Sequence, residues 1–310
     1  MEATINIIAP IFGLILCGYL VAKSPILDKP AIIGINNFVF YVAIPCLLFR
    51  SMAKGVSLEV LDPQIDFAYF GGCLLLFFAS MLLAKSVFRL SLVEQAVFAM
   101  GTIFSNTVML GIPLVYMAFG DEGLLAIMLI VAFHAALLIP LATIVVEVGS
   151  NQGGAGDILI STLKALSRNP VILGLVVGLF WGLAALPVPE IADRFIGLLA
   201  GAAAPCALFA LGAAISEYKI AGDLRESLAI VFLKLVIHPI LVWLLVRFVF
   251  DLSPVFVAVA TITAALPVGA NVYILAQKYE IYVARSASSV LISTAVSVLS
   301  VALLVGVFTS

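Results

Sequence analysis

Pro267, Gly269 and Asn271 fall within five residues of one another, deep inside an apolar stretch that reads "LPVGANVYIL". Proline removes a backbone donor, glycine loosens the chain, and asparagine brings an amide that hydrocarbon cannot satisfy. An earlier apolar stretch, "SNTVMLGIPL", carries Asn106, Thr107, Gly111 and Pro113. A helix interrupted in mid-membrane frees N–H and C=O groups that must face protein or a wet cavity. The half-helix that starts at such a break presents free N–H groups and the positive end of its dipole. Two breaks brought together make a site with partial positive potential and no formal charge. Asn106 and Asn271 add amide donors there, with Thr107 as a weaker addition, and an anion, most simply a carboxylate, fits that environment. Pro113, Pro267, Gly111 and Gly269 shape the breaks.

Ionisable residues inside apolar stretches are the other candidates for chemistry. Lys234 lies in one such stretch, His238 follows one helical turn later, and His134 lies in another. These three are the candidates for ion coupling. Lys234 has an alternative, in which its stem snorkels to the membrane surface. No Asp or Glu falls well inside an apolar stretch, so a carboxylate site for sodium has little support and a proton is the better-supported coupling ion. No paired aspartates and no G-x-S-x-G suggest an enzyme, and no catalytic set is assigned. The four cysteines (Cys17, Cys46, Cys73, Cys206) form no C-x-x-C pair, so they are read as buried structural thiols, with no metal site and no cofactor.

The elements that must position these residues follow from composition. The chain has 310 residues, of which 64% are hydrophobic and 10% charged, and its mean hydropathy is +1.28. A soluble domain carries about 25% charged residues. Apolar blocks here repeatedly exceed the ~20 residues that cross a bilayer core, whereas a membrane barrel would alternate over segments of about ten. The chain is therefore expected to be an all-α polytopic membrane protein whose partner is the lipid bilayer. No basic tract supports nucleic-acid binding. The N-terminal "MEATINIIAPIFGLILCGYLVAK" lacks the basic start of a cleavable signal and is read as the first span.

Ten apolar segments can be marked, at 5–22, 32–53, 66–88, 95–119, 123–147, 169–186, 191–216, 226–249, 254–279 and 282–308. The long connection 149–168 is taken as a cytoplasmic linker, Gly-rich at first and then a short surface helix carrying Leu159, Leu163 and Leu166. It separates a first five-span half, 1–148, from a second, 169–310. "IPCLLF" at 44–49 recurs as "APCALF" at 204–209, an offset of 160 residues, and the same offset lays the fourth span on the ninth. An odd number of spans per repeat inverts the second copy, the arrangement of secondary transporters with broken helices. Neither intramembrane charge is duplicated: Leu74 lies opposite Lys234 and Thr294 opposite His134. Lys and Arg number ten in the connections after odd-numbered spans and four on the other side. That places odd connections in the cytoplasm and both termini outside a multi-pass cytoplasmic membrane protein.

"SNTVMLGIPLVYMAFG" and "PVGANVYILAQKY" resemble the two signature stretches of the auxin efflux carrier family, bacterial members of which include malonate-type carriers. Pro267, Gly269 and Asn271 match P-x-G-x-N, and Asn106, Thr107, Gly111 and Pro113 match N-T-x-x-x-G-x-P. Val108 and Met109 depart from the family pattern, at positions where pocket shape is set. The resemblance implies a fold related to bile-acid symporters and sodium/proton antiporters, with the fourth and ninth helices crossing. It also implies substrate contact at Asn106 and Asn271, and a homodimer.

The resulting expectation is a secondary transporter that moves a small organic anion, a dicarboxylate or auxin-like acid, by alternating access. A membrane sensor using the same carboxylate site, and an ion channel, are the alternatives.

Overall fold

In the computed structural model the described residues are 2–54, 62–150, 160, 164, 167–250 and 252–309, and their regular structure is helical. The surface helix expected around Leu159, Leu163 and Leu166 lies outside the described residues. The helices are α1 (Glu2–Lys23), α2 (Lys29–Phe38), α3 (Ile44–Ala53), α4 (Gln64–Ser86), α5 (Leu92–Ile103), α6 (Ile112–Ser150), α7 (Pro170–Leu183), α8 (Glu190–Gly201), α9 (Ala203–Ile215), α10 (Leu224–Phe232), α11 (His238–Phe248), α12 (Pro254–Ala265), α13 (Asn271–Lys278) and α14 (Val283–Thr309). Among the described residues seven helical runs are long and apolar enough to cross a bilayer, and α5, α7 and α12 are shorter apolar helices. The protein is a polytopic helical membrane protein.

Local chemistry sets where many helices begin. Asp28, Asn169, Asp223 and Ser253 each accept a hydrogen bond from a first-turn amide of the following helix. Ser91 and Glu94 form a reciprocal capping box at α5. Gly120 divides α6 at a left-handed conformation (φ 61°, ψ −147°) that costs glycine little.

Three wide π-turns, Val39–Ala43, Thr107–Gly111 and Leu233–Ile237, share one cause. Each is followed two residues later by a proline: Pro45, Pro113 and Pro239. A helical proline cannot bond the carbonyl four residues back and its ring crowds it. Widening the turn moves that carbonyl aside, and the residue before each proline bonds five residues back instead, Ile44 to Val39, Ile112 to Thr107 and His238 to Leu233.

The helices pack as two sets. In one, α1 lies along α9, and α3 along α7 and α8. In the other, α4, α5 and α6 pack with α10 to α14. The sets meet where α9 touches α6 and the turn 107–111, and where α1 touches α14. Glycines bring helices of the first set to backbone contact. A Cβ on Gly18 would collide with the Phe209 carbonyl, and one on Gly212 with the Ile15 carbonyl. On α7, a Cβ at Gly178 would stand 2.8 Å from the Phe49 backbone, and one at Gly174 2.7 Å from the Pro45 carbonyl. Small residues of this kind let membrane helices gain dispersion energy where burial of apolar area supplies no drive.

One end of the second set is pinned by charge. Glu226 of α10 is buried, and its carboxylate accepts from the Tyr282 hydroxyl at 2.5 Å and from Arg285 Nε at 3.0 Å. Arg285 also reaches Glu94 of α5 at 3.5 Å.

The cysteines depart from expectation. Cys73 alone is buried, whereas Cys46 and Cys206 are half-buried and Cys17 is exposed. A thiol on an apolar helix is free to face lipid as well as protein, so composition could not place them.

Gly212→Ala is expected to lower the thermal midpoint of the detergent-solubilised protein by several degrees, since relieving the overlap costs roughly 1–3 kcal/mol. Gly13→Ala, where an added Cβ meets nothing within 4 Å, serves as the neutral comparison in the same melting assay.

Candidate functional site

The two irregular stretches meet, and each completes the other. Helix α5 ends at Ile103, and Phe104 turns extended (φ −80°, ψ 105°). Helix α12 ends at Ala265, and Leu266 likewise turns extended (φ −61°, ψ 152°). Ser105 and Val268 form an antiparallel bridge. The Asn106 amide donates to the Pro267 carbonyl at 2.9 Å, and the Gly269 amide donates to the Phe104 carbonyl at 2.9 Å. Val268 donates its N–H to Ser293 Oγ of α14 at 3.0 Å. Phe104, Ser105, Leu266 and Val268 are all buried, so water could not have served these groups.

Each break residue has a specific geometric reason. Pro267 has no N–H to leave unpaired. A Cβ on Gly269 would lie 2.8 Å from the Phe104 ring and 3.0 Å from the Ser105 carbonyl. A Cβ on Gly111 would lie 2.7 Å from Leu266 Cδ1. Pro113 is buried in the first turn of α6, downstream of the break, and acts through the π-turn before it.

A cavity of about 370 Å³ opens at the boundary between the helix sets. One wall carries Asn106, Thr107, Val108, Met109, His134, Gly269 and Asn271. Opposite it stand Asn36, Asn37, Phe40 and Tyr41, with Asn169 and Ile172 from the α7 end. The starts of the turn at Thr107 and of α13 at Asn271 both lie on this wall, with their positive dipole ends toward it; the Thr107 amide itself donates to the Ser105 carbonyl at 2.9 Å and the Val272 amide to the Gly269 carbonyl at 3.1 Å. Asn106 is 8% exposed, and among the described residues its side-chain amide and that of Asn271 have no hydrogen-bond partner in the protein. Amide donors and helix N-termini therefore converge on one space without a formal cation at its lining.

Lys234 and His238 lie behind the breaks, outside this lining. Lys234 is fully buried and does not reach the membrane surface. Its Nζ donates to Ser105 Oγ at 2.7 Å and to the Ala264 carbonyl at 2.5 Å, and lies 3.2 Å from His238 Nδ1. Ser105 Oγ donates in turn to the Thr263 carbonyl at 2.7 Å. Because that bond uses the only hydroxyl proton of Ser105, Tyr69 is the donor in their 3.1 Å contact. His238 Nε2 lies 3.4 Å from Cys73 Sγ. His134 accepts the Ser105 amide at Nε2, 3.4 Å away, with its ring centroid 4.5 Å from that of Phe104.

The structure thus gathers Asn106, Thr107, Gly269, Asn271 and His134 on one cavity wall, with Gly111, Pro113, Pro267, Lys234 and His238 behind it. Sequence reasoning missed Ser105 as the hub of the buried network, and Asn36, Asn37 and Asn169 on the facing wall. The adjacent amides in "GINNFVF" were a usable signal, since polar pairs inside a span need a partner or a cavity.

Ser293→Ala is expected to leave the Val268 amide buried and unpaired, at a cost of about 1–3 kcal/mol. A lower melting midpoint, with faster hydrogen exchange at residues 266–270, checks it.

The sequence matches the family described as "Membrane transport protein" over residues 3–153 and 155–305. It is 27% identical over 304 residues to a Rhizobium meliloti protein named "Putative malonate transporter", covering 97% of this chain and 94% of that one. Identity is 25% over 307 residues to the uncharacterized transporter MJ1031 of Methanocaldococcus jannaschii, covering 96% of each chain. A mouse "Lysosomal cholesterol signaling protein" is 28% identical over 216 residues, 65% of this chain and 24% of that one.

Proposed function

Because the chain belongs to the membrane transport protein family, the auxin efflux carrier-like group, and is a multi-pass membrane transporter, we propose that it carries a small organic anion bound by its carboxylate in the cavity beside Asn106 and Asn271. The observation that carries this reading is the pair of unpartnered amides at two helix starts on one wall. Thr107 supplies a further hydroxyl, Gly111, Pro267 and Gly269 keep the two interruptions in register, and Pro113 sets the wide turn that follows the first. A carboxylate held by N–H donors and dipoles needs no lysine or arginine and can leave as readily as it enters. The name of the Rhizobium relative makes malonate the first acid to test.

The proposed architecture is ten spans in two inverted repeats, 1–148 and 169–310, joined by a cytoplasmic linker at 149–168. Support comes from packing as well as sequence. Adding 160 to Gly18 gives Gly178, and subtracting 160 from Phe209 gives Phe49; Gly18 packs on the Phe209 backbone as Gly178 packs on that of Phe49. The interrupted fourth and ninth spans, touching through their backbones, are read as crossing helices. The cavity at the boundary between the helix sets favours alternating access, in which the sets move past each other with the breaks riding on one of them. The cytoplasmic membrane with both termini outside is the orientation the Lys/Arg distribution favours, and a homodimer remains part of the proposal. The coupling ion is proposed to be a proton, carried among His134, His238 and Lys234, since none of the described ion pairs involves these residues.

The mouse relative's name gives one reason to keep a sensor as the second reading. Full-length protein reconstituted in liposomes loaded with unlabelled malonate should accumulate labelled malonate saturably. Ligand-induced thermal stabilisation without counterflow would turn the reading to a sensor, and single-channel currents would turn it to a channel. Asn271→Ala and Asn106→Ala should each weaken malonate binding about 10- to 100-fold, as loss of a hydrogen bond to a charged group implies, with the protein still monodisperse. Unchanged affinity in both variants would remove these residues from the site.

A further inference from the structure

Every helix interruption has two ends, and the cavity accounts for only one kind. The helix starts at Thr107 and Asn271 lie on the cavity wall, whereas the last carbonyls of α12, at its negative dipole end, are engaged away from the lining. There the Thr263 and Ala264 carbonyls of α12 are met by Ser105 Oγ and by Lys234. We propose that the Lys234 ammonium is a built-in cation, tethered where an exchangeable monovalent ion would otherwise sit to neutralise the carbonyl end of α12, and that truncating Lys234 opens a site for sodium or a small alkylammonium ion.

Three observations carry the assignment. The first is stoichiometry. An ammonium group has three N–H donors, and Nζ has three polar partners within reach: Ser105 Oγ and the Ala264 carbonyl, which accept, and His238 Nδ1 at 3.2 Å. His238 is held on its other side by Cys73, whose Sγ lies 3.4 Å from Nε2. Second, the ligands are an oxygen from the α5 break, an oxygen from the end of α12 and a ring nitrogen from α11, all fully or nearly fully buried. Oxygen donors converging from separate elements are what a bare monovalent cation requires. Third, no described ion pair gives Lys234 a carboxylate partner, so the dipole ends and neutral acceptors are what hold its charge.

The assignment deepens the reading of ion coupling above but does not depend on the anion. It makes Lys234 the fixed member of the three ionisable residues, with His134 the one that lines the cavity. The protein then needs no sodium.

The test reads thermal stability of the full chain in detergent without any organic anion, so loss of malonate transport would not affect it. Melting is followed in sodium, methylammonium and choline chlorides at equal ionic strength, choline being too large for the space an alkyl-ammonium stem vacates. Wild-type protein is expected to melt alike in all three. Lys234→Ala should melt lower in choline and recover by about 3 °C or more in sodium or methylammonium. Lys234→Met, which refills the stem volume without charge, should not recover. A wild-type midpoint raised by sodium over choline, or a Lys234→Ala midpoint indifferent to the cation, overturns the proposal. If Lys234→Ala is too unstable to melt, the yield of monodisperse protein purified in sodium against choline reads the same property, and equal loss in both salts overturns it.

Discussion

A helix that stops inside hydrocarbon must hand its backbone hydrogen bonds to something, and here two such helices hand them to each other. The Asn106 amide bonds the Pro267 carbonyl and the Gly269 amide bonds the Phe104 carbonyl, both at 2.9 Å. Each unpaired group in that environment would cost several kcal/mol. The rest follows from the demand that these few residues stay together. Gly269 has no Cβ because Phe104 and Ser105 leave no room for one. Pro267 brings no donor, and Ser293 reaches over from α14 to take the Val268 amide.

Joining two breaks also sorts charge without using acidic residues. Four helix ends meet, two with excess N–H and two with excess C=O. The N–H ends, with Asn106 and Asn271, line the cavity, and the C=O side of α12 faces Lys234. The cavity wall bearing Asn106 and Asn271 and the network around Lys234 therefore flank one short stretch of chain, with Ser105 belonging to the bridge and to the lysine network at once.

The two helix sets are held together by different means. In the set built on α1, α3, α7, α8 and α9, glycines bring backbones into contact, which fixes helix pairs closely. The set bearing the breaks is tied by the Ser105–Lys234 network at its middle and by Glu226, Tyr282 and Arg285 at one end. The cavity lies between the two.

The helical membrane class was legible from composition, because 64% hydrophobic residues in long blocks leave no other way to satisfy a backbone in lipid. The positions of the interruptions were also legible, since proline, glycine and asparagine inside an apolar span contradict an unbroken helix. So was the family, through the spacing of those same residues. Sequence could not say that Pro113 shapes a wide turn and not the break itself, nor that Lys234 turns inward, because a lysine stem of fixed length can reach a membrane surface or a buried carbonyl equally well. Nor could it place Ser105 at the hub, or say that Asn36 and Asn37, recognisable as a polar pair inside a span, share a cavity with Asn106 and Asn271. Those roles depend on which residues 100 or more positions apart come within about 3 Å of each other, as Lys234 and Ser105 do at 2.7 Å. Local pattern fixes where a chain must bend or stop, and only the folded arrangement decides which distant groups then meet.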